Sequence, residues 1–169
     1  MLPECSHMFS EIKKALEKAS TVEEVGDALV SALKRQGVIY TRRGFVSGII
    51  SSDGREKIAG NLDVLRRRAE AIRRKSRFPV LSAACVFNVD LLKRTGGLAY
   101  SDPQWFAFWR RVLREGRITD LYFTPRWEES RGARDEFEAA RELSIRTHQA
   151  VFLDDEKVFV YPLSLKEKA

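Results

Sequence analysis

The chain of 169 residues has only two cysteines and two histidines. Cys5 and Cys85 lie far apart, and neither has a Cys or His neighbour at metal-ligand spacing. A zinc centre is therefore not expected, and no cofactor or metal is assigned. His7 and His148 are isolated in the sequence, so no Ser/His or Cys/His nucleophile pairing suggests itself. Cys85 stands among Ala83, Ala84 and Val86 and reads as a small buried hydrophobe. Long apolar runs are missing as well. None approaches the ~20 residues that a membrane span needs. Residues Met1 to Cys5 lack the basic and apolar segments of a secretory signal. The expectation is a cytoplasmic protein with no membrane partner. The Walker pattern G-x-x-x-x-G-K-[ST] and the Rossmann pattern G-x-G-x-x-G are both absent.

What is present is ordinary for a globular domain: 44% hydrophobic and 32% charged residues. The length fits one domain with a real core. The net charge of +6 and pI near 9.5 invite a nucleic-acid reading. Much of that charge, Arg66 to Arg68 and Arg73 to Arg77, surrounds one helix with an apolar stripe of Ile58, Leu62, Leu65, Ala69 and Ile72. The arginines fall mostly on the other side of that helix and read as a solvated face. No aromatic residues interleave with them, as a single-strand binder would want. Nucleic acid is admitted by the charge but is the less favoured partner. A small phosphate-bearing nucleotide serves a basic protein equally well.

The chain divides at about residue 40. Residues 1–40 read as a helical hairpin. Phe9, Ile12, Leu16 and Ala19 form one stripe, and Val22, Val25, Leu29 and Leu33 the other. Thr21 to Glu24 has the form of a capping box, and Gly37 is the expected stop. Residues 41–169 alternate strands with helices. Strands are expected at 44–50, 78–83, 121–124, 150–153 and 158–161, with a turn at Asp154-Asp155. Helices are expected up to Lys75, over Trp105 to Arg114, and over Ser130 to Leu143. Asn88 to Pro103 is expected to be a long loop. This order argues for an α/β fold with a mostly parallel sheet.

In such a sheet a ligand sits at the carboxyl ends of the strands. Turns at Ser47 to Arg55 and at Ser130 to Gly132 converge there, beside the long loop. The helix after Ser130 places Ala133, Glu136, Phe137, Ala140 and Leu143 at the spacing of a buried stripe. Glu136 then faces the core, while Glu138 faces water. An inward carboxylate is costly without a partner or a task. An acid in a first helical turn is also helped by the helix dipole. Ser130 and Gly132 at a helix N-terminus favour an anion such as phosphate.

The strand, the Ser130-x-Gly132-x-x-x-Glu136 turn, the helix with Ala140 four residues after the Glu, and the closing strand resemble the nucleoside 2-deoxyribosyltransferase-like superfamily. That group includes nucleoside 5′-monophosphate N-glycosidases. The run Trp127 to Gly132 and the helix end Ala140 to Leu143 carry the likeness. It covers roughly residues 43–155 and leaves the hairpin outside. The resemblance implies a flavodoxin-like three-layer sandwich. It implies Glu136 as a nucleophile on the anomeric carbon, and Ser130 rather than Asp as the mark of a 5′-phosphate substrate. Gly132, Arg55 and the amides near Ser47 and Gly48 are implied co-ligands. A homo-oligomer, a homodimer in particular, follows by analogy, since family sites borrow residues from a neighbouring subunit. One departure stands out. Val112 or Leu113 occupies the place of a family Asp that helps protonate the base, with Glu115 or Asp102 as substitutes. Asp120 matches a different, structural Asp. The alternative function is a non-catalytic nucleotide- or partner-binding protein.

Overall fold

The computed structural model describes residues 3–154 and 157–163, with side chains from residue 8 onward. The side chains of Cys5 and His7, and all of Asp155, therefore lie outside the described residues. The helices are α1 (Pro3–Lys18), α2 (Val22–Ile39), α3 (Ile58–Lys75), α4 (Val89–Arg94), α5 (Asp102–Glu115) and α6 (Arg131–Glu142). The strands are β1 (Gly44–Ser47), β2 (Val80–Ser82), β3 (Asp120–Phe123), β4 (Arg146–Phe152) and β5 (Val158–Pro162). They form one sheet in the order β2-β1-β3-β4-β5. All pairs are parallel except β4 with β5. The chain is thus mixed α/β with a mostly parallel sheet.

The central strands β1 and β3 are buried at every position. That follows from their near-continuous apolar sequences, Gly44-Phe-Val-Ser and Asp120-Leu-Tyr-Phe, as parallel strands covered on both faces require. α3 presents Ile58, Leu62, Leu65, Ala69 and Ile72 to the core, the stripe its spacing demands. α3 packs against β2, and α5 packs against α6. The α1–α2 hairpin shares the same continuous core through Met8, Ile12, Leu16, Val25, Leu29 and Leu33. Its junction carries the capping box: the Thr21 side chain accepts from Glu24 N–H, and the Glu24 side chain accepts from the cap backbone. α2 lies on α5, where a Cβ at Gly26 would come within 3.1 Å of the Phe108 ring. Arg94 of α4 donates to the carbonyls of Leu16 and Ala19, satisfying the exposed end of α1.

Several boundaries differ from expectation for identifiable reasons. β1 stops at Ser47, because Gly48 turns away beneath Thr124. The span 88–103 is not a plain loop. Asn88 caps α4 by accepting from Leu91 N–H at 2.7 Å, and Leu91 and Leu92 bury its inner side. α5 starts at Asp102, since Ser101 and Gln104 form a second capping box. α2 runs through Gly37 to Ile39, so that glycine is no stop. Met8, not the half-buried Phe9, fills the core at its turn of α1. β4 begins at Arg146, four residues before the apolar run that marked it.

The basic face of α3 is only partly solvated. Arg73 stacks over Phe9 at 4.2 Å and donates to the Val80 carbonyl and to Cys85 Sγ. Cys85 is accordingly half-buried and polar in its contacts, also lying 3.3 Å from Ser82 Oγ, rather than an inert core residue. His148 is not isolated in space. It stacks on Tyr122 and lies 3.0 Å from Asp120. Asp120, fully buried at the start of β3, also accepts from Arg42, Thr119 and Arg146. Burial opposes its charge, but the hydrogen bonds from His148, Arg42, Thr119 and Arg146 prevail and hold its carboxyl far below the ordinary range.

Candidate functional site

A cavity of about 610 Å³ opens at the carboxyl ends of β1 and β3, where the parallel strands hand over to their loops. The segment after β1 contributes Gly48, Ser51, Ser52 and Arg55. The N-terminal end of α6 contributes Ser130, Gly132 and Glu136. α5 and the segment before it close the cavity with Tyr100, Trp105, Phe106 and Trp109. The turn after β1, the α4 region and the β3–α6 turn thus meet at one place. Of the residues singled out from sequence, Glu136, Ser130, Gly132, Gly48 and Arg55 line it. Ser47 lies behind the wall instead.

Glu136 is 8% exposed. Ser47 Oγ donates to its Oε2, joining the last residue of β1 to the second turn of α6. Burial pushes the Glu136 carboxyl from 4.5 up to about 8; the Ser47 hydroxyl pulls it down, and Asp135 pushes it further up. Burial therefore favours the protonated form of this carboxyl. Asp135 itself is clamped by Arg110 of α5 through contacts of 2.9–3.1 Å. Perturbed carboxyls of this kind gather where chemistry is done, though structural networks also produce them.

Ser130 is the N-cap of α6. Its Oγ accepts from Ala133 N–H at 3.3 Å, and its hydroxyl proton remains available to a ligand. A Cβ built on Gly132 meets nothing nearer than Ser130 Oγ at 3.8 Å. Packing does not demand a glycine there; its smallness leaves the backbone open to the cavity. Arg55, exposed on the rim, has no acidic partner among the described residues. Gly48 is demanded by packing, since its Cβ would fall 2.3 Å from Thr124 Oγ1.

Val112 and Leu113 are buried in the core and contribute nothing to the cavity. Glu115 pairs with Arg111, away from it. Asp102 is the carboxylate that α5 brings to the cavity, and it pairs with Arg131 at 2.9 Å. Asp102 was one of the two substitutes the sequence offered, whereas the aromatic wall was not assigned to the site from sequence. The signal for Asp102 was its place just after the Ser101 cap, which puts it at a helix N-terminus facing the same cleft. The side chains present can bind an anion at the rim, stack a planar ring on the half-buried Trp105, and offer a carboxyl below. Among the described residues, no group of His, Cys, Asp and Glu is placed to hold a metal ion. No helix among them is long and apolar enough to cross a membrane. In comparisons with family models, curated proteins and solved structures, none matches this chain.

Proposed function

We propose that this cavity cleaves the base–sugar bond of a (deoxy)nucleoside 5′-monophosphate. The observation that carries the reading is the buried Glu136 carboxyl, hydrogen-bonded by Ser47, under a helix N-terminus and beside an aromatic wall. The phosphate sits against Ser130, the backbone at Gly132 and Arg55. The base stacks on the α5 aromatics. Glu136 attacks the anomeric carbon as its C–N bond to the base breaks, giving a glycosyl ester and the free base. The oxocarbenium-like transition state is stabilised by the carboxylate beneath it. Water then yields a hydrolase, and a second base a transferase. In this reading Asp102, paired with Arg131, orients the leaving base, which takes its proton from solvent. The strand order and the packing of α5 on α6 support a flavodoxin-like three-layer arrangement. A cytoplasmic homodimer belongs to the same reading.

A second reading has its own support. Burial favours the protonated form of Glu136, and Arg131 holds Asp102 in an ion pair. Both features favour a protein that binds a nucleotide without cleaving it. Incubation with a panel of nucleoside monophosphates, assayed for free base, separates the two. Base release that stops in Glu136→Gln supports the enzyme. Phosphate-dependent binding without release supports the binder.

A further inference from the structure

The opposite end of the sheet, where the parallel strands begin, carries a wide groove of about 750 Å³. Arg42, Lys75 and Arg77 supply its charge, and among the described residues no Asp or Glu lines it. Round the same strand ends lies a second groove of about 500 Å³, with Arg43, Arg114, Arg117 and Arg146 and again no acid among the described residues. The two grooves adjoin at Asp120, which Arg42 approaches to 2.6 Å and Arg146 to 2.9 Å. That buried carboxylate is fully committed to them and to His148. Among the described residues, Arg77, Arg114 and Arg117 are exposed and have no acidic partner. Elsewhere Arg66, Arg110, Arg111 and Arg131 are each met by a carboxylate. So much like charge around one buried acid costs self-repulsion that a polyanion relieves. Arg43, bonded only to backbone groups, is pushed below its usual value by burial and by Arg117.

The first groove also holds aromatic rings among its cations. Arg42 lies 4.3 Å over Phe78, and Lys75 lies 5.4 Å from the centre of Phe159. Phe159 is 46% exposed, with open area for a stacked ring. Cations along a groove with a free aromatic face are what a single strand needs, phosphates on the charges and a base on the ring. We propose that this pole, remote from the candidate site, binds single-stranded nucleic acid along Arg42, Lys75, Arg77, Arg114, Arg117 and Arg146, with a base on Phe159.

The test is fluorescence anisotropy of a labelled oligothymidylate of about 20 nucleotides, titrated with the full chain from ~50 to ~200 mM salt. Binding should weaken steeply with salt. Charge reversal of Arg77, Arg114 and Arg117 to Glu should cost at least about tenfold in affinity and flatten the log–log salt slope by about 2. Reversal of Lys13, Lys14 and Lys18 on α1 changes net charge equally and should cost less than about threefold. Phe159→Ala should weaken binding roughly fivefold or more with the slope unchanged. Melting curves check that each variant is folded. The proposal is overturned if the wild type does not bind at low salt or if both reversals cost the same. It is equally overturned if duplex DNA or phosphatidylserine vesicles bind as tightly as the single strand.

Discussion

The Ser47 hydroxyl donates to the Glu136 carboxyl across 89 positions of sequence. The bond ties the end of the central strand β1 to the helix that follows β3. It is also the one group counteracting the upward pressure of burial on that carboxyl.

Glu136 should make stability depend on pH. Its carboxyl titrates near 8 when folded, against 4.5 ordinarily. The folded state then binds the proton more tightly than the unfolded state. Stability is highest below the unfolded value and falls as pH rises toward 8. Relative to Glu136→Gln, the wild type is expected to lose roughly 2–4 kcal/mol between about pH 5 and about pH 9. Parallel denaturant titrations check this, and matching curves for the two proteins would refute it.

If Glu136 is the nucleophile, it must be ionised in the reacting complex. Base release by the enzyme should rise with pH and level off above about 8. Ser47→Ala removes the hydrogen bond that favours the charged form. The midpoint of the rate profile should then move to higher pH, with stability lower by about 1 kcal/mol. A profile that falls with pH would make Glu136 a proton donor instead.

Gly48 and Thr124 form a coupled pair. Gly48→Ala places a Cβ 2.3 Å from Thr124 Oγ1, which is buried without a hydrogen-bond partner in this structure. The single substitution should cost about 1–3 kcal/mol through overpacking. Thr124→Ala removes an unpaired buried hydroxyl and should be nearly neutral. The double variant should recover much of the loss, because the Thr124 Cβ lies 3.5 Å away and the Leu65 methyl at 3.2 Å needs only a small shift. A thermodynamic cycle on the four proteins measures the coupling.

The hairpin should be indispensable to the fold. Leu29 and Leu33 are 1% exposed in the shared core. Leu33→Ala should cost about 2–5 kcal/mol. Removal of residues 1–40 should leave a chain that melts far lower or fails to stay in solution. Unchanged melting and oligomeric state after that deletion would show that the hairpin is only an appendage.

The elements most legible in the sequence were those written in local periodicity. The α3 stripe and the inward position of Glu136 follow from spacing alone. The Thr21–Glu24 capping box needs only neighbours along the chain. α4 was missed because six residues are too few for a periodic signal, although Asn88 announced its start. The first half of β4 was missed because Arg146, His148 and Gln149 are polar residues spent on tertiary partners: Asp120 for the first two, Trp127 for the third. The pairing of Ser47 with Glu136, and the choice of Asp102 over Glu115 at the cavity, depend on how distant elements pack. No local pattern encodes them.

The outer strand β5 sets how this molecule can meet a copy of itself. Leu163 N–H bonds to the Thr147 carbonyl and Leu153 N–H to that of Lys157, so the odd-numbered residues of β5 turn their backbone inward. The even-numbered ones face outward. There Lys75 Nζ occupies the Val158 carbonyl, and Pro162 has no N–H to offer. Among the described residues of this edge, Val160 alone keeps a full donor–acceptor set. An added strand would find too few rungs to zip onto, and fibrillar stacking through this border is blocked. Phe159 and Tyr161 remain exposed to the side. Contact between copies at β5 is therefore favoured face to face, through rings, over extension of the sheet.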